Sequence, residues 1–288
     1  MASPLLELAP PGAEPIHVLD VGCAGGLSER WDGLRPAIDY VGCDPLVEER
    51  DHRGTEAQGF ARLRTRAVAV APNPGPATLH VAADPECSSL LLPNWPVVSR
   101  FDHAWRFAGQ EEREVHCTTL AALAREHGQP DVIELESQGL EYQLISSSLE
   151  AVADALCLEV EAGLIEHYVG EYPYALIDPL LRESGFSLVE LTGLHSRRRA
   201  WTGLDSRHQP LWCEVTWLRD VVGRRERPAP DRGRKLLLIC KVLGHFAYGQ
   251  ELACHLREVG SISPELGAHL GRPESWAGPW RLGGWELC

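Results

Sequence analysis

Residues Ile16–Ser28 read IHVLDVGCAGGLS, and Tyr40–Asp44 read YVGCD. The first stretch is a mostly apolar run that carries Asp20 near its end, followed by Gly22, Gly25, Gly26 and Ser28. The second is another apolar run that closes on Asp44. Strand, glycine turn, helix, strand and acid, in that order, is the plan of a nucleotide-cofactor site at the C-terminal edge of a parallel sheet.

The turn discriminates between cofactors. A dinucleotide fold needs G-x-G-x-x-G, so that backbone can approach a pyrophosphate. Counted from Gly22, those glycines fall at positions 24 and 27, where this chain has Ala24 and Leu27. Asp20 beside the turn would repel a pyrophosphate. It suits a cofactor that carries an ammonium and a sulfonium, which is S-adenosylmethionine. Asp44 can accept hydrogen bonds from ribose hydroxyls with either cofactor, and it also fits a turn aspartate before Pro45. The D-x-G-x-x-G-G string alone is equally at home in an ordinary β-turn-α unit whose glycines serve packing.

The chain has 288 residues, 44% of them apolar, enough for one large globular domain or two small ones. A net charge of −14 argues against nucleic acid, because no basic stripe outweighs the acid. The run Arg197–Arg199 is short and reads as a solvated or substrate-edge cluster. Nine cysteines contain no C-x-x-C pair and several sit in apolar segments, the pattern of reduced core cysteines in a cytosolic protein. The N-terminal MASPLLELAPPGAEP has no basic segment ahead of a long apolar one, and no stretch approaches the ~20 apolar residues of a membrane span. A soluble, cytoplasmic protein is expected.

Alternation and turn residues predict strands at Ile16–Gly22, Tyr40–Asp44, Thr65–Ala71, Asp131–Glu136, Ala155–Val160, Phe186–Leu191 and Trp212–Leu218. Ser28 is the expected cap of a helix over Ser28–Leu34. Asn73-Pro74-Gly75 predicts a turn into an added hairpin strand, Ala77–Ala82, and Val115–Thr119 a further short strand. Helices are expected at Leu120–His127, from Gly139 to Ser146 and over Tyr174–Ser184. The irregular stretch Asp84–Gln110 is long enough to be a lid or substrate loop. Residues 1–220 are expected to form one domain, ordered from about 16. Residues 221–288 would add a charged linker, Gly223–Arg234, and a helical extension from Leu236 that ends in a Trp-rich tail. The fold class is α/β: a mainly parallel seven-stranded sheet with helices on both faces and one antiparallel strand at the edge.

Six ordered motifs resemble FkbM-type S-adenosylmethionine-dependent methyltransferases. They are DVGCAGGLSERW, VGCDP, AVAPNPGPATLHVAADPECSSLL, PDVIELESQGLEYQLI, LCLEVEAGLIEHYVGEYPY and LLRESGFSLVEL. The likeness covers about residues 16–220. It implies the class I methyltransferase (Rossmann-like) fold and methyl transfer from S-adenosylmethionine to a hydroxyl oxygen of a sugar or secondary metabolite. Two positions depart from the family pattern: Glu134 stands where the family motif has lysine, and Glu136 where it has aspartate. Gln138 replaces the commoner glutamate.

On this reading Asp20, Gly22, Cys23, Gly26, Asp44, Pro45 and Glu136 hold the cofactor. Glu136, Glu134 and His167 are the catalytic candidates, with Glu134 and Glu136 leaving their strand on one face. Ser88, Ser89, Glu159 and Glu161 are the candidate acceptor residues. No ligand cluster has metal spacing; Glu159, Glu161 and His167 are the alternative set for a divalent metal, and their spacing fits no standard signature. The expected partner is a small-molecule or glycosyl acceptor, with no nucleic acid and no membrane, and a homo-oligomer is compatible with the chain. The alternative, motivated by Glu134 and the Trp-rich tail, is a catalytically impaired methyltransferase-fold binding or scaffold protein.

Overall fold

The structure is a computed structural model that describes residues 8–10, 12–23, 26–46, 59–109, 111–199, 207–282 and 285–287. The strands are β1 (Ile16–Val21), β2 (Ile38–Cys43), β3 (Arg62–Arg66), β4 (Ala69–Val70), β5 (Gly75–Val81), β6 (Glu111–Thr118), β7 (Val132–Leu135), β8 (Cys157–Gly163), β9 (Phe186–Ser196), β10 (Gln209–Arg219), β11 (Trp280–Leu282) and β12 (Trp285–Leu287). The α-helices are α1 (Trp95–Val98), α2 (Leu120–His127), α3 (Glu141–Ser147), α4 (Leu149–Ala153), α5 (Tyr174–Glu183), α6 (Pro230–Val242), α7 (Phe246–Glu258) and α8 (Pro264–Leu270).

Seven strands form the central sheet in the order β3-β2-β1-β7-β8-β10-β9. All pairings are parallel except those of β10, which runs against both β8 and β9. This is the expected α/β class, a mainly parallel seven-stranded sheet. The reversed strand lies one place in from the edge, with β9 outside it. From β1 the chain first builds outward through β2 and β3, then returns to the other side of β1 as β7. The boundary between β1 and β7 is therefore the topological switch point, where such sheets bind ligands at the C-terminal strand ends.

Alternation along each strand feeds two cores. Leu19, Val21, Ile133, Leu135 and Leu158 pack beneath α2–α5. Ile16, Val18, Val132, Cys157 and Leu218 face the other way, beneath α6–α8 and the 3-10 helix Glu29–Ala37. The C-terminal extension thus completes a face of the sheet. Lys235 on α6 donates to Asp131 Oδ2 at 2.8 Å, and the His17 amide donates to the same oxygen at 2.9 Å. The Tyr248 hydroxyl on α7 donates to the Arg219 carbonyl at 2.6 Å. Trp276 and Trp280 of the Trp-rich tail are core residues, and α7 makes room for Trp276 at Gly249, where a Cβ would lie 2.2 Å from the indole.

Several local expectations are corrected. The run Thr65–Ala71 is not one strand. Its first part belongs to β3, an edge strand whose Arg62 and Arg64 pair with Asp39 of β2. The chain then leaves the sheet, and Ala69–Val70 pairs with β6 in a second sheet of order β4-β6-β5. The strand after Asn73-Pro74-Gly75 accordingly pairs with β6, not with its predecessor. Ser28 makes no side-chain cap, and the segment after it is a 3-10 helix containing Pro36, which has no N–H to continue an α-helix. Residues 84–110 hold α1 and two 3-10 turns. The linker gives way to α6 at Pro230, and the helical stretch from Leu236 is two helices, broken at Gly244 with φ +76°. The described cysteines are free thiols, all but Cys254 buried. No helix among the described residues is long and apolar enough to cross a membrane.

Candidate active site

The switch point is built around Gly22. It has φ +90°, and a Cβ there would lie 2.1 Å from the Glu136 carbonyl oxygen. The Glu136 amide donates to the Val21 carbonyl at 2.9 Å. Only a residue without a side chain lets the turn after β1 lie this close to the chain leaving β7. Gly26 also has positive φ, +70°. Ala24 and Gly25 lie outside the described residues.

Three cavities meet at Glu136, which follows the C-terminal end of β7 and lines each. The first lies beside β2. Asp44 and Pro45 line it together with Val21, Leu46, Val70 and Leu140. Asp44 Oδ1 accepts the Leu46 amide at 2.6 Å, so Asp44 caps its own turn and lines the cavity at once. Ser88 and Ser89, the expected acceptor residues, line this same cavity. They brace the loop: the Ser88 hydroxyl accepts the Ala82 amide at 3.2 Å, and the Ser89 hydroxyl donates to the Gln138 carbonyl at 2.6 Å.

The second cavity, about 200 Å³, opens from Asp20, Gly22, Cys23 and Gly26 across the outer strands. Asp20 is buried and accepts the Tyr40 hydroxyl at 2.6 Å; burial raises its pKa to about 6, against the lowering effect of that bond. Burial also pushes up the Cys23 thiol, with the charges of Asp20 and Asp44 adding to it, so Cys23 is a neutral wall. Beyond Asp20 the register lines up carboxylates. Asp20 pairs with Glu134, Glu134 with Glu159, and Glu159 with Thr216, which pairs with Glu190. One row further out, Glu161 pairs with Glu214, and Glu214 with Thr192. Paired residues share a face, so both rows look into this cavity. Burial raises Glu134 and Glu136 to about 8, and next after burial come the charge of Asp20 for Glu134 and of Glu161 for Glu136. The charge of Glu136 contributes less to the rise of Glu134. Arg30 from the 3-10 helix reaches over to pair with Glu159.

The third cavity, about 260 Å³, holds His167, Tyr168, Trp212, Phe107, Glu161 and Glu171 among its walls. His167 is 4% exposed; its backbone N–H and that of Tyr168 both donate to Glu171 Oε2, at 2.5 and 3.0 Å. Its ring stacks on Phe107 and meets Trp212 edge-on. Burial lowers the imidazole to about 4, and Nε2 is enclosed with no hydrogen-bond partner. The long loop supplies Cys87, Arg106 and Phe107 to this wall, and Tyr168 donates to the Cys87 carbonyl at 3.0 Å. Glu159 and Glu161 share the second cavity as alternation required, whereas His167 joins only Glu161, in the third. Among the described residues no group of three or more His, Cys, Asp or Glu is arranged to hold a metal ion.

Sequence reasoning missed the brace after β7. Gln138 has φ +55°, unusual for a residue with a side chain. Its Oε1, at 2.8 Å, shares the one Tyr168 hydroxyl proton with the Cys87 carbonyl, and its Nε2 donates to Glu161 at 3.4 Å. The buried carboxylate of Glu141 accepts the Ser137 and Gly139 amides at 2.9 and 3.2 Å, holding the turn closed. Arg30, Glu190 and Glu214 were also missed. The E-x-T spacing at 190–192 and 214–216 was legible, but the pairing that places it beside β8 was not.

The donor set fits S-adenosylmethionine. Carboxylates stand at both ends of the switch point, Asp44 where a ribose would lie and Asp20 where a cationic amino-acid tail would lie. Side-chain-free backbone at Gly22 separates them, and apolar walls surround Asp44.

No family model matches the chain, and no curated protein matches it. Among solved structures, the chain is similar to magnesium protoporphyrin IX methyltransferase from Synechocystis, crystallised with S-adenosylmethionine bound. The two share 13% identity over 75% of this chain and 76% of that one, with a TM-score of 0.35. A Streptococcus pneumoniae protein assigned as a tRNA methyltransferase is also similar, at 13% identity over 96% of this chain and 98% of that one, with a TM-score of 0.31.

Proposed function

We propose that the chain is an FkbM-type methyltransferase that moves a methyl group from S-adenosylmethionine to a hydroxyl of a small-molecule or glycosyl acceptor. One observation carries the reading: the cavities of Asp44 and Asp20 meet at the β1–β7 switch point through Gly22 and Glu136. The cofactor supplies an electrophilic methyl group when bound. The chain's own task is to align the acceptor oxygen and take its proton. Asp44 orients the ribose and Asp20 the ammonium, while the Gln138 turn holds Glu136 at the junction. Glu136 is the base: it lines all three cavities, and burial sets its pKa at about 8, near the working range. The Gln138 amide has no useful basicity. His167 is the competing base. It is neutral with a free Nε2, but at about 4 its affinity for a proton is low.

The test is calorimetry with S-adenosylhomocysteine and with NAD, followed by transfer assays with labelled S-adenosylmethionine. S-adenosylhomocysteine is expected to bind and NAD to fail. NAD binding more tightly than S-adenosylhomocysteine overturns the reading. Cofactor binding without transfer to any hydroxylated acceptor favours the impaired scaffold.

A further inference from the structure

The acidic cavity floor is wider than methyl transfer from a sulfonium requires. From Asp20 on β1 to Glu190 on β9 is four strand spacings, roughly 19 Å. The amino-acid tail of the proposed cofactor covers only the first part of that distance. Glu161, Glu190 and Glu214 therefore lie on strands the cofactor does not reach.

This floor opposes folding. Like charges directly opposite in a sheet are destabilising, yet Glu134 faces Glu159 and Glu161 faces Glu214. On the same face, the positions nearer the start of the parallel strands are apolar, Val132 on β7 and Cys157 on β8, and they are covered by the C-terminal helices. The carboxylates begin where that cover stops. The motif that Asp131–Glu136 resembles has lysine where this chain has Glu134, so the charge inversion falls inside the floor.

A second observation points to a cationic ligand. Glu159 is 8% exposed; one oxygen holds Arg30, and Oε2 is enclosed with no hydrogen-bond partner. Arg30, the only Lys or Arg among the described residues that line this cavity, shows that the floor accepts a guanidinium. His245 approaches Glu190 from the α6–α7 junction at 3.7 Å, with its pKa lowered by burial. Burial raises Glu161 to about 7, beside Glu134 and Glu136, and a neighbouring cation would favour the ionised form of each.

We propose that the floor formed by β7, β8, β10 and β9 binds the methyl acceptor, and that this acceptor carries at least two ammonium groups. Facing carboxylates one and two strands apart set the ammonium spacing at roughly 5–10 Å. Amino sugars carry both the ammonium groups and the hydroxyl that the proposed transfer needs, whereas a linear polyamine carries the charges alone. The proposal rests on the methyltransferase reading for the fate of the ligand, while the binding claim stands on the cavity alone.

The experiment is calorimetric titration of the full chain, with and without saturating S-adenosylhomocysteine. The probes are spermidine, the amino sugar neamine and uncharged trehalose. At least one cationic probe is expected to bind about tenfold or more tightly than trehalose, a gap of ~1.4 kcal/mol, and to weaken as salt is raised. The exposed pair Glu190→Gln with Glu214→Gln should fold as the wild type does and keep its affinity for S-adenosylhomocysteine. It should lose about fivefold or more in cation affinity, as expected for two exposed ion pairs. Preference for neamine identifies an amino sugar as the acceptor class, and preference for spermidine keeps the cation site but overturns the claim that its ligand is the hydroxyl acceptor. Trehalose binding as tightly as both cations, no binding by either cation, or full cation affinity in the double variant overturns the proposal. Cation binding in a chain that ignores S-adenosylhomocysteine overturns the methyltransferase reading instead and leaves the floor standing.

Discussion

The two ends of the sheet's C-terminal rim are built from opposite materials. Beside β2, one carboxylate, Asp44, sits among Val21, Leu46, Val70 and Leu140. Beside β8–β9, Glu159, Glu161, Glu190 and Glu214 line a single cavity. The first end suits a flat, largely apolar base with a ribose to be hydrogen-bonded. The second suits something positively charged. Glu136 and Gly22 are where the two meet, so a change there should disturb both ends, and a change further out only one.

The largest effect is expected at the junction. Gly22→Ala forces a Cβ to within 2.1 Å of the Glu136 carbonyl at a positive φ. It should cost about 2–4 kcal/mol in urea unfolding, the sum of backbone strain and overpacking, and abolish S-adenosylhomocysteine binding. Wild-type stability and binding would show that the two ends do not meet at Gly22.

Glu136→Gln should lower kcat by about 10²-fold, within the range for general acid–base catalysis, with little change in cofactor affinity. The wild-type kcat/KM should rise with pH and level off above about 8, because the carboxylate is a base only when deprotonated. His167→Ala should cost less. A profile that stays flat down to pH 5, or the reverse ranking of the two variants, moves the base to His167, which remains deprotonated above about 4.

Asp44→Ala touches only the apolar end. It should weaken S-adenosylhomocysteine binding by about 1.5–3 kcal/mol, the range for hydrogen bonds to a charged group, with kcat at saturation nearly unchanged. Unchanged affinity would place the ribose elsewhere.

A smaller effect reads the acidic end through stability. Glu134, Glu136 and Glu171 at about 8 and Glu161 at about 7 hold protons more tightly folded than unfolded. Their stabilisation is complete below the unfolded value near 4.5 and is lost as pH rises through the folded values. His167 has the opposite sign, and its contribution is already complete above 6.5. Between pH 6.5 and 8.5 the Tm should therefore fall by a few degrees, and less so in Glu134→Gln. A Tm that rises across this window would show that the floor is solvated rather than buried. Chelation should change nothing, since transfer from a sulfonium needs no Lewis acid. Turnover lost to a chelator and restored by Mg²⁺ would promote Glu159 and Glu161 to ligands.

Much of the first half was legible in the chain. Ile16–Val21 and Ile38–Cys43 are short apolar runs bounded by glycine and proline, and such runs are strands buried on both faces. The position of Gly22 after Asp20 was enough to place the turn. The run Thr65–Ala71 was misread because alternation identifies strand character but not the sheet a strand joins. The Trp-rich tail helped motivate the scaffold alternative, whereas Trp276 and Trp280 fill the core, since burial depends on what α7 presents at Gly249. Which cavity Ser88 and Ser89 line was not legible, because loop hydrogen bonds, such as Ser89 to the Gln138 carbonyl, link residues far apart in sequence.

The sequence by itself determined the α/β class, the glycine turn, the strand-end positions of Asp20 and Asp44 and the period-2 placement of glutamates, because each follows from local backbone geometry and side-chain alternation. Only the tertiary structure decided that Glu134, Glu159 and Glu190 lie in one row and Glu161 and Glu214 in the next. Strand register and the reversal of β10 are fixed by packing between segments distant in the chain. Burial, and with it the raised pKa of Glu136 and the neutral imidazole of His167, exists only once those segments have closed around the groups and excluded water.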